Sequence, residues 1–149
     1  MIRISKKANV KYSANQMYTL VNDIEAYPDF LPWCTDAIIT NHGNNELVAS
    51  VSISVGKIKK IFTTKNTMQQ DSLISMKLIK GPFKILNGEW NFQNNSSGGS
   101  TVLLEMQFEF KNKLLRYTFG AVFKKITDSL VDAFITRARD IYGENIYEE

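Results

Sequence analysis

The run Thr101-Val102-Leu103-Leu104-Glu105-Met106-Gln107-Phe108-Glu109-Phe110 and the residues after it decide the fold, because the hydrophobic period changes between them. In the run itself Leu104, Met106, Phe108 and Phe110 alternate with Glu105, Gln107 and Glu109, which predicts a strand with one buried and one wet face. Beyond it Leu115, Phe119, Val122, Phe123, Ile126, Leu130, Phe134, Ala138 and Ile141 recur at spacings of three and four. That period predicts one amphipathic helix over residues 114–142, roughly 40 Å long at 1.5 Å per residue and able to cross a whole sheet.

Working outward, Trp90 and Phe92 repeat the strand alternation, as do Ile74, Met76 and Leu78 before them. His42-Gly43-Asn44-Asn45, Val55-Gly56, Gln70-Asp71, Gly81-Pro82 and Asn94 to Ser100 punctuate residues 36–112 as turns between antiparallel hairpins. Near the start, residues 2–10 predict a first strand. Ser13 to Gln16 form a capping box for a short helix over 14–24, with Tyr12 and Met17 at the staple positions. Pro28 and Pro32 then bracket Tyr27 to Cys34, which predicts a second helical turn and a constrained loop. Strand, two short helices, about six strands and one long helix make an α+β fold, a curved antiparallel sheet wrapped around a C-terminal helix. The expected organisation is one domain over 1–149, with a frayed end over Glu144 to Glu149.

Composition removes several function classes. At 149 residues and 44% hydrophobic content, the chain has enough apolar material for a core without disulfides or a structural metal. One cysteine and one histidine exclude the clustered ligands of zinc sites, and no metal or cofactor is expected. No window approaches the roughly 18 apolar residues of a membrane span, and the basic start has no apolar stretch behind it. A cytoplasmic protein is expected, with a peripheral position at the inner membrane as the further option.

Catalytic groupings are sparse. His42 lies in a Gly/Asn turn, Cys34 is better placed as a small core filler than as a nucleophile, and Glu105 and Glu109 sit on the wet face of their strand. Gly98-Gly99 is a hairpin turn rather than a phosphate cradle. Large apolar side chains are abundant instead, namely Phe62, Phe83, Trp90, Phe92, Phe108 and Phe110 from the sheet and Phe119 and Phe123 from the helix. They make either a packed core or the wall of a cavity. A packed core is the simpler reading, whereas Gly120 between Phe119 and Phe123 and the loop rings Phe30 and Trp33 are the observations on the side of a cavity with a mobile rim.

Net charge is only +3, but Lys57, Lys59, Lys60 and Lys65 have no acid among them, nor do Lys111, Lys113, Arg116, Lys124 and Lys125. The long helix thus starts basic at Lys113 and Arg116 and ends with Asp140 and Glu144, the reverse of what its dipole favours. An electropositive end for phosphates, of RNA or of an anionic membrane surface, is the functional reading of Lys57, Lys59, Lys60, Lys113, Arg116, Lys124 and Lys125.

Val21-Asn22-Asp23, Tyr27 to Cys34, Phe62-Thr63-Thr64, Gly81-Pro82-Phe83-Lys84, Trp90-Asn91-Phe92, and Ala133-Phe134 with Arg137-Ala138 occur in an order that resembles a known family. The chain is similar to the coenzyme-Q-binding/RatA family of the START-like polyketide cyclase and lipid transport superfamily. The resemblance implies a helix-grip fold around an apolar cavity. It also implies two roles, binding of a prenylated quinone (ubiquinone) or similar lipid in support of respiration, and RatA-type binding to the large ribosomal subunit that blocks subunit association. Tyr12-Ser13-Ala14 and Gln16-Met17-Tyr18 are closer to the RatA branch. Pro32-Trp33-Cys34 departs from it, glycine being expected at 33, and is similar to the quinone-binding branch.

The expected function is therefore non-enzymatic binding of a quinone or lipid, with ribosome association as the alternative and no DNA partner. Phe30, Leu31, Trp33, Phe62, Phe83, Trp90, Phe108, Phe110, Phe119, Gly120 and Phe123 are the expected cavity residues. A cyclase-type enzyme is the remote option, and Cys34, Tyr18, Tyr117 and Asp23 would have to carry it.

Overall fold

A computed structural model describes residues 1–144. In chain order the elements are β1 (Ile2–Val10), α1 (Ala14–Asn22), a 3-10 helix (Ile24–Asp29), β2 (Cys34–Gly43), β3 (Glu46–Val55), β4 (Ile58–Gln69), β5 (Leu73–Lys80), β6 (Phe83–Asn94), β7 (Ser100–Phe110) and α2 (Lys113–Tyr142). Beyond Glu144, the frayed end expected from the sequence lies outside the described residues.

All seven strands form one antiparallel sheet in the order β1-β7-β6-β5-β4-β3-β2. Strands β2 to β7 are a meander, and β1 joins it by pairing with β7 from Ile2 opposite Phe108 to Val10 opposite Ser100. Irregularities in register at Cys34/Asp36 and Ile39/Asn41 in β2, Thr63/Thr64 in β4 and Phe83/Ile85 in β6 bend the strands. Such extra residues increase local twist, and here they curl the sheet into a grip.

The capping box forms as the sequence predicts, with Ser13 Oγ accepting from Gln16 N and Gln16 Oε1 accepting from Ser13 N. The helix stops at Asn22 rather than at residue 24, because Pro28 lies in a separate 3-10 turn that begins at Ile24. Residues 11–33 thereby carry the chain from one edge strand of the sheet to the other.

Asn112 caps α2 by accepting from Leu115 N at 2.8 Å. The other end is tied down by two phenols, Tyr12 Oη donating to Gly143 O and Tyr142 Oη donating to Gln16 O. Phe119, Phe123, Ile126, Val131, Phe134 and Ala138 are buried along one stripe, whereas Ile141, expected in that stripe, is 50% exposed. The last turn also contains Arg139, paired with Glu144 at 3.0 Å, so the acidic end read from sequence is partly balanced.

Candidate functional site

Under the middle of α2 the concave face leaves a cavity of about 80 Å³. Its walls are Ala49, Val51 and Ile53 from β3, Phe62, Thr64 and Asn66 from β4, Leu86 and Trp90 from β6, Phe123, Ile126, Thr127, Leu130 and Phe134 from α2, and Tyr27 and Trp33 from the segment before β2. Trp33, Phe62 and Leu130 are only partly buried and stand where the lining reaches the surface. Sites for drug-sized ligands occupy roughly 300–1,000 Å³. The space present therefore takes a head-sized group, and a longer molecule requires the rim to open.

Gly88 lies at the floor, in mid-strand. A Cβ there would come within 2.9 Å of Met106 Cγ and 3.2 Å of Met76 Cε. Bare backbone at this point is what the close approach of those two methionines requires.

Polar side chains interrupt the apolar walls. Thr64 and Asn66 share the inward phase of β4 with Phe62 and Met68, and Thr64 Oγ1 donates to Asn66 Oδ1 at 2.8 Å. Thr127 is fully buried, its hydroxyl donating to Lys124 O at 3.0 Å. Tyr27 Oη donates to Val21 O, and burial holds its phenol far above the ordinary range, so it is neutral there.

Of the expected cavity residues, Trp33, Phe62, Trp90 and Phe123 line this space. Phe30, Leu31, Phe83, Phe108, Phe110, Phe119 and Gly120 do not, which corrects their placement. Phe83 and Phe108 each meet Phe123 at 4.8 Å between ring centroids, Phe110 lies on Phe83 at 5.3 Å, and Phe119 packs on Phe110 at 5.8 Å. Those rings fill the space under the first third of α2, so they seal the helix to the sheet. Gly120 is buried against the Phe110 ring. Phe30 packs on Phe134 at 5.3 Å, the Arg137 guanidinium lies over the Phe30 ring at 4.8 Å, and Leu31 is core. Alternation tells which face a ring occupies but not its depth along the groove, and the gap opens only where Ala49, Thr64 and Gly88 are small.

Asn66, Thr127 and Gly88 are not among the residues singled out in the sequence, and Thr64 enters there only within the Phe62-Thr63-Thr64 motif. The available signal was phase, since Asn66 falls on the inward register of a strand and Gly88 interrupts the alternation of Leu86 and Trp90.

No hydrogen bond joins any two of the four catalytic candidates among the described residues. Cys34 is buried, and desolvation raises its thiol above the usual value, the opposite of an activated nucleophile. Burial likewise raises the Tyr18 phenol, whose ring packs edge-on against Phe92. Tyr117 is 90% exposed, and Asp23 is exposed as well. His42 is exposed at the end of β2.

The basic residues divide between two grooves. Lys59 and Lys60 line one beside Thr35 and Ile61, while Lys57 is exposed in the adjoining β3–β4 turn. Lys113 and Arg116 line another with Lys84 and Lys111, around a single carboxylate, Glu109. Lys65 is paired with Glu46 across β3 and β4, and Lys124 with Asp128 one turn on, so neither is as unopposed as its sequence neighbours indicate. Lys125 is exposed on α2 outside both grooves. Beside the second groove Leu114 and Tyr117 also stand exposed.

Residues 10–135 match the family described as polyketide cyclase / dehydrase and lipid transport. The ribosome association toxin RatA of Vibrio cholerae serotype O1 is 40% identical over 97% of this chain and 100% of its own length. RatA of Escherichia coli K12 is 43% identical over 96% of this chain and 90% of its own. The mitochondrial coenzyme Q-binding protein COQ10 of Dictyostelium discoideum is 24% identical, over 91% and 68% respectively. Among solved structures, the Zhui aromatase/cyclase from Streptomyces shares the fold at a TM-score of 0.82, with 15% identity over 93% of each chain. A helix gripped by a seven-stranded sheet, the motifs from Val21 to Ala138, and 40% identity to a RatA protein over nearly the whole chain converge on one conclusion: the chain belongs to the polyketide cyclase / dehydrase and lipid transport family, with the RatA proteins among its relatives.

Proposed function

We propose that this chain is a non-enzymatic START-like binding protein that associates with the large ribosomal subunit through the basic groove at the start of α2. The observation that carries the proposal is the convergence of Lys84, Lys111, Lys113 and Arg116 around one carboxylate at the N-terminus of a 30-residue helix with no acid in its first turn. Backbone N–H groups and the helix dipole add to those charges, so phosphates are the matching chemistry. Tyr117, exposed alongside, offers a ring for stacking on an unpaired base. The names of the Vibrio and Escherichia relatives support the same reading.

The test is sucrose-gradient sedimentation of ribosomal subunits at low magnesium with and without the protein, at several salt concentrations. Replacing Lys111, Lys113 and Arg116 with glutamine should weaken cosedimentation with the large subunit. It should also flatten the log–log salt slope by somewhat under one per lost phosphate contact. Lys57, Lys59 and Lys60 form the second variant set, and Lys124→Gln should matter less because Asp128 already pairs with it. No cosedimentation by the wild type, or a wild-type response from both variant sets, would remove this role.

A second reading has its own observation. The cavity walls are mostly apolar and reach the surface at Trp33, Phe62 and Leu130, which suits an isoprenoid quinone or another lipid once the rim opens. The name of the Dictyostelium relative supports it. Organic extraction of the purified protein followed by mass spectrometry checks it. Recovery of no quinone or lipid, together with no binding on addition, would exclude it.

A further inference from the structure

The cavity is not uniformly apolar, and one polar side chain in its wall is only half engaged. Asn66 is only 4% exposed, yet just one end of its amide is engaged, Oδ1 accepting from Thr64. The Nδ2 end donates to nothing among the described residues, and Asn66 belongs to the cavity lining. Thr64 Oγ1 gives its proton to the Oδ1 end and Thr127 Oγ1 gives its proton to Lys124 O, and Nδ2 makes no hydrogen bond to either hydroxyl among the described residues.

We infer that Asn66 reads the leading end of whatever enters this cavity, donating to a carbonyl oxygen on an otherwise apolar molecule. A buried donor left unpaired carries a desolvation penalty, which a ligand oxygen relieves and a plain hydrocarbon does not. The empty volume admits water, and water would satisfy the amide in the free protein. A hydrocarbon that displaces this water strands the donor, whereas a carbonyl replaces the lost hydrogen bond. Asn66 thereby discriminates by chemistry while the apolar walls supply nonspecific affinity. This inference rests on the reading of the cavity as a binding site and adds which ligands it takes.

The test uses the full chain, labelled with nitrogen-15, titrated with 4-pentylcyclohexanone or with pentylcyclohexane, which differ by one carbonyl. Trp33 and Trp90 both line the cavity and are the two tryptophans of the chain, so their indole signals report occupancy by either compound. The Asn66 side-chain amide signals should move downfield with the ketone alone. The ketone should also bind about 2- to 10-fold more tightly than the hydrocarbon. Asn66→Leu should abolish that preference, because no donor is left for a hydrocarbon to strand. Equal affinity of the wild type for both compounds, or a preference that survives in Asn66→Leu, overturns the role of Asn66 and leaves the cavity reading standing. Where Asn66→Leu fails to fold, the wild-type Asn66 amide decides: signals that stay still at saturation with the ketone overturn the inference. Indole signals unmoved by both compounds overturn the cavity reading, and the inference with it.

Discussion

At Gly120 a Cβ would meet the Phe110 ring at 3.6 Å and Arg116 Cγ at 3.7 Å, which are ordinary contact distances. The backbone there is helical, so alanine relieves the entropy cost of glycine without a clash. Gly120→Ala should raise stability by about 0.5–1 kcal/mol, measured by thermal or denaturant unfolding. Gly120→Leu should instead strain the Phe110 contact and leave cavity occupancy unchanged. A loss of ligand binding by a folded Gly120→Leu protein would return this position to the cavity. Tyr27 gives the residue scale its pH dependence. Its phenol is raised by burial, by the neighbouring Cys34 and by Asp23, and it donates to Val21 O. An acid whose folded pKa lies above its unfolded value of about 10 stabilises the protein at lower pH. That contribution is lost as the pH climbs from the unfolded value towards the folded one. Tyr27→Phe should therefore be less stable than wild type at neutral pH, with a gap that closes above pH ~10. A gap that widens there would contradict the assignment.

The elements were legible to different degrees. Ser13 and Gln16 announce α1 because a capping box is local chemistry, and β7 announces itself because alternation on a half-buried strand is local too. Length misled at Ile141, where the helical period runs on past the sheet and the side chain emerges into solvent. The start of α2 carries the element-scale prediction. Lys113 and Arg116 oppose the dipole in a first turn without any acid. Lys113→Glu should raise stability by about 0.3–1 kcal/mol while weakening ribosome association, so the melting temperature and cosedimentation should move in opposite senses. An unchanged association would place the RNA contact elsewhere, and a lower melting temperature would mean that the lysine serves the fold.

For the whole molecule, the two candidate sites occupy different parts of one helix. The basic groove lies at its N-terminal turns, the aromatic seal of Phe83, Phe108, Phe110 and Phe119 comes next, and the cavity opens from Phe123 to Phe134. Neutralising Lys111, Lys113 and Arg116 therefore leaves the cavity walls intact, and the sedimentation and titration experiments separate the two roles. By itself the sequence determined the order of elements, the face most apolar side chains of the strands and of α2 take, and the family. These follow from periodicity, turn chemistry and ordered motifs, which act along the chain. Only the tertiary structure decided which rings fill the groove and which border a gap, and that Glu46 answers Lys65 across β3 and β4. It alone placed Asn66, with one end of its amide bonded to Thr64, in the cavity wall. Those outcomes depend on how far the sheet curls and where the helix crosses it, and such distances arise between residues far apart in the chain.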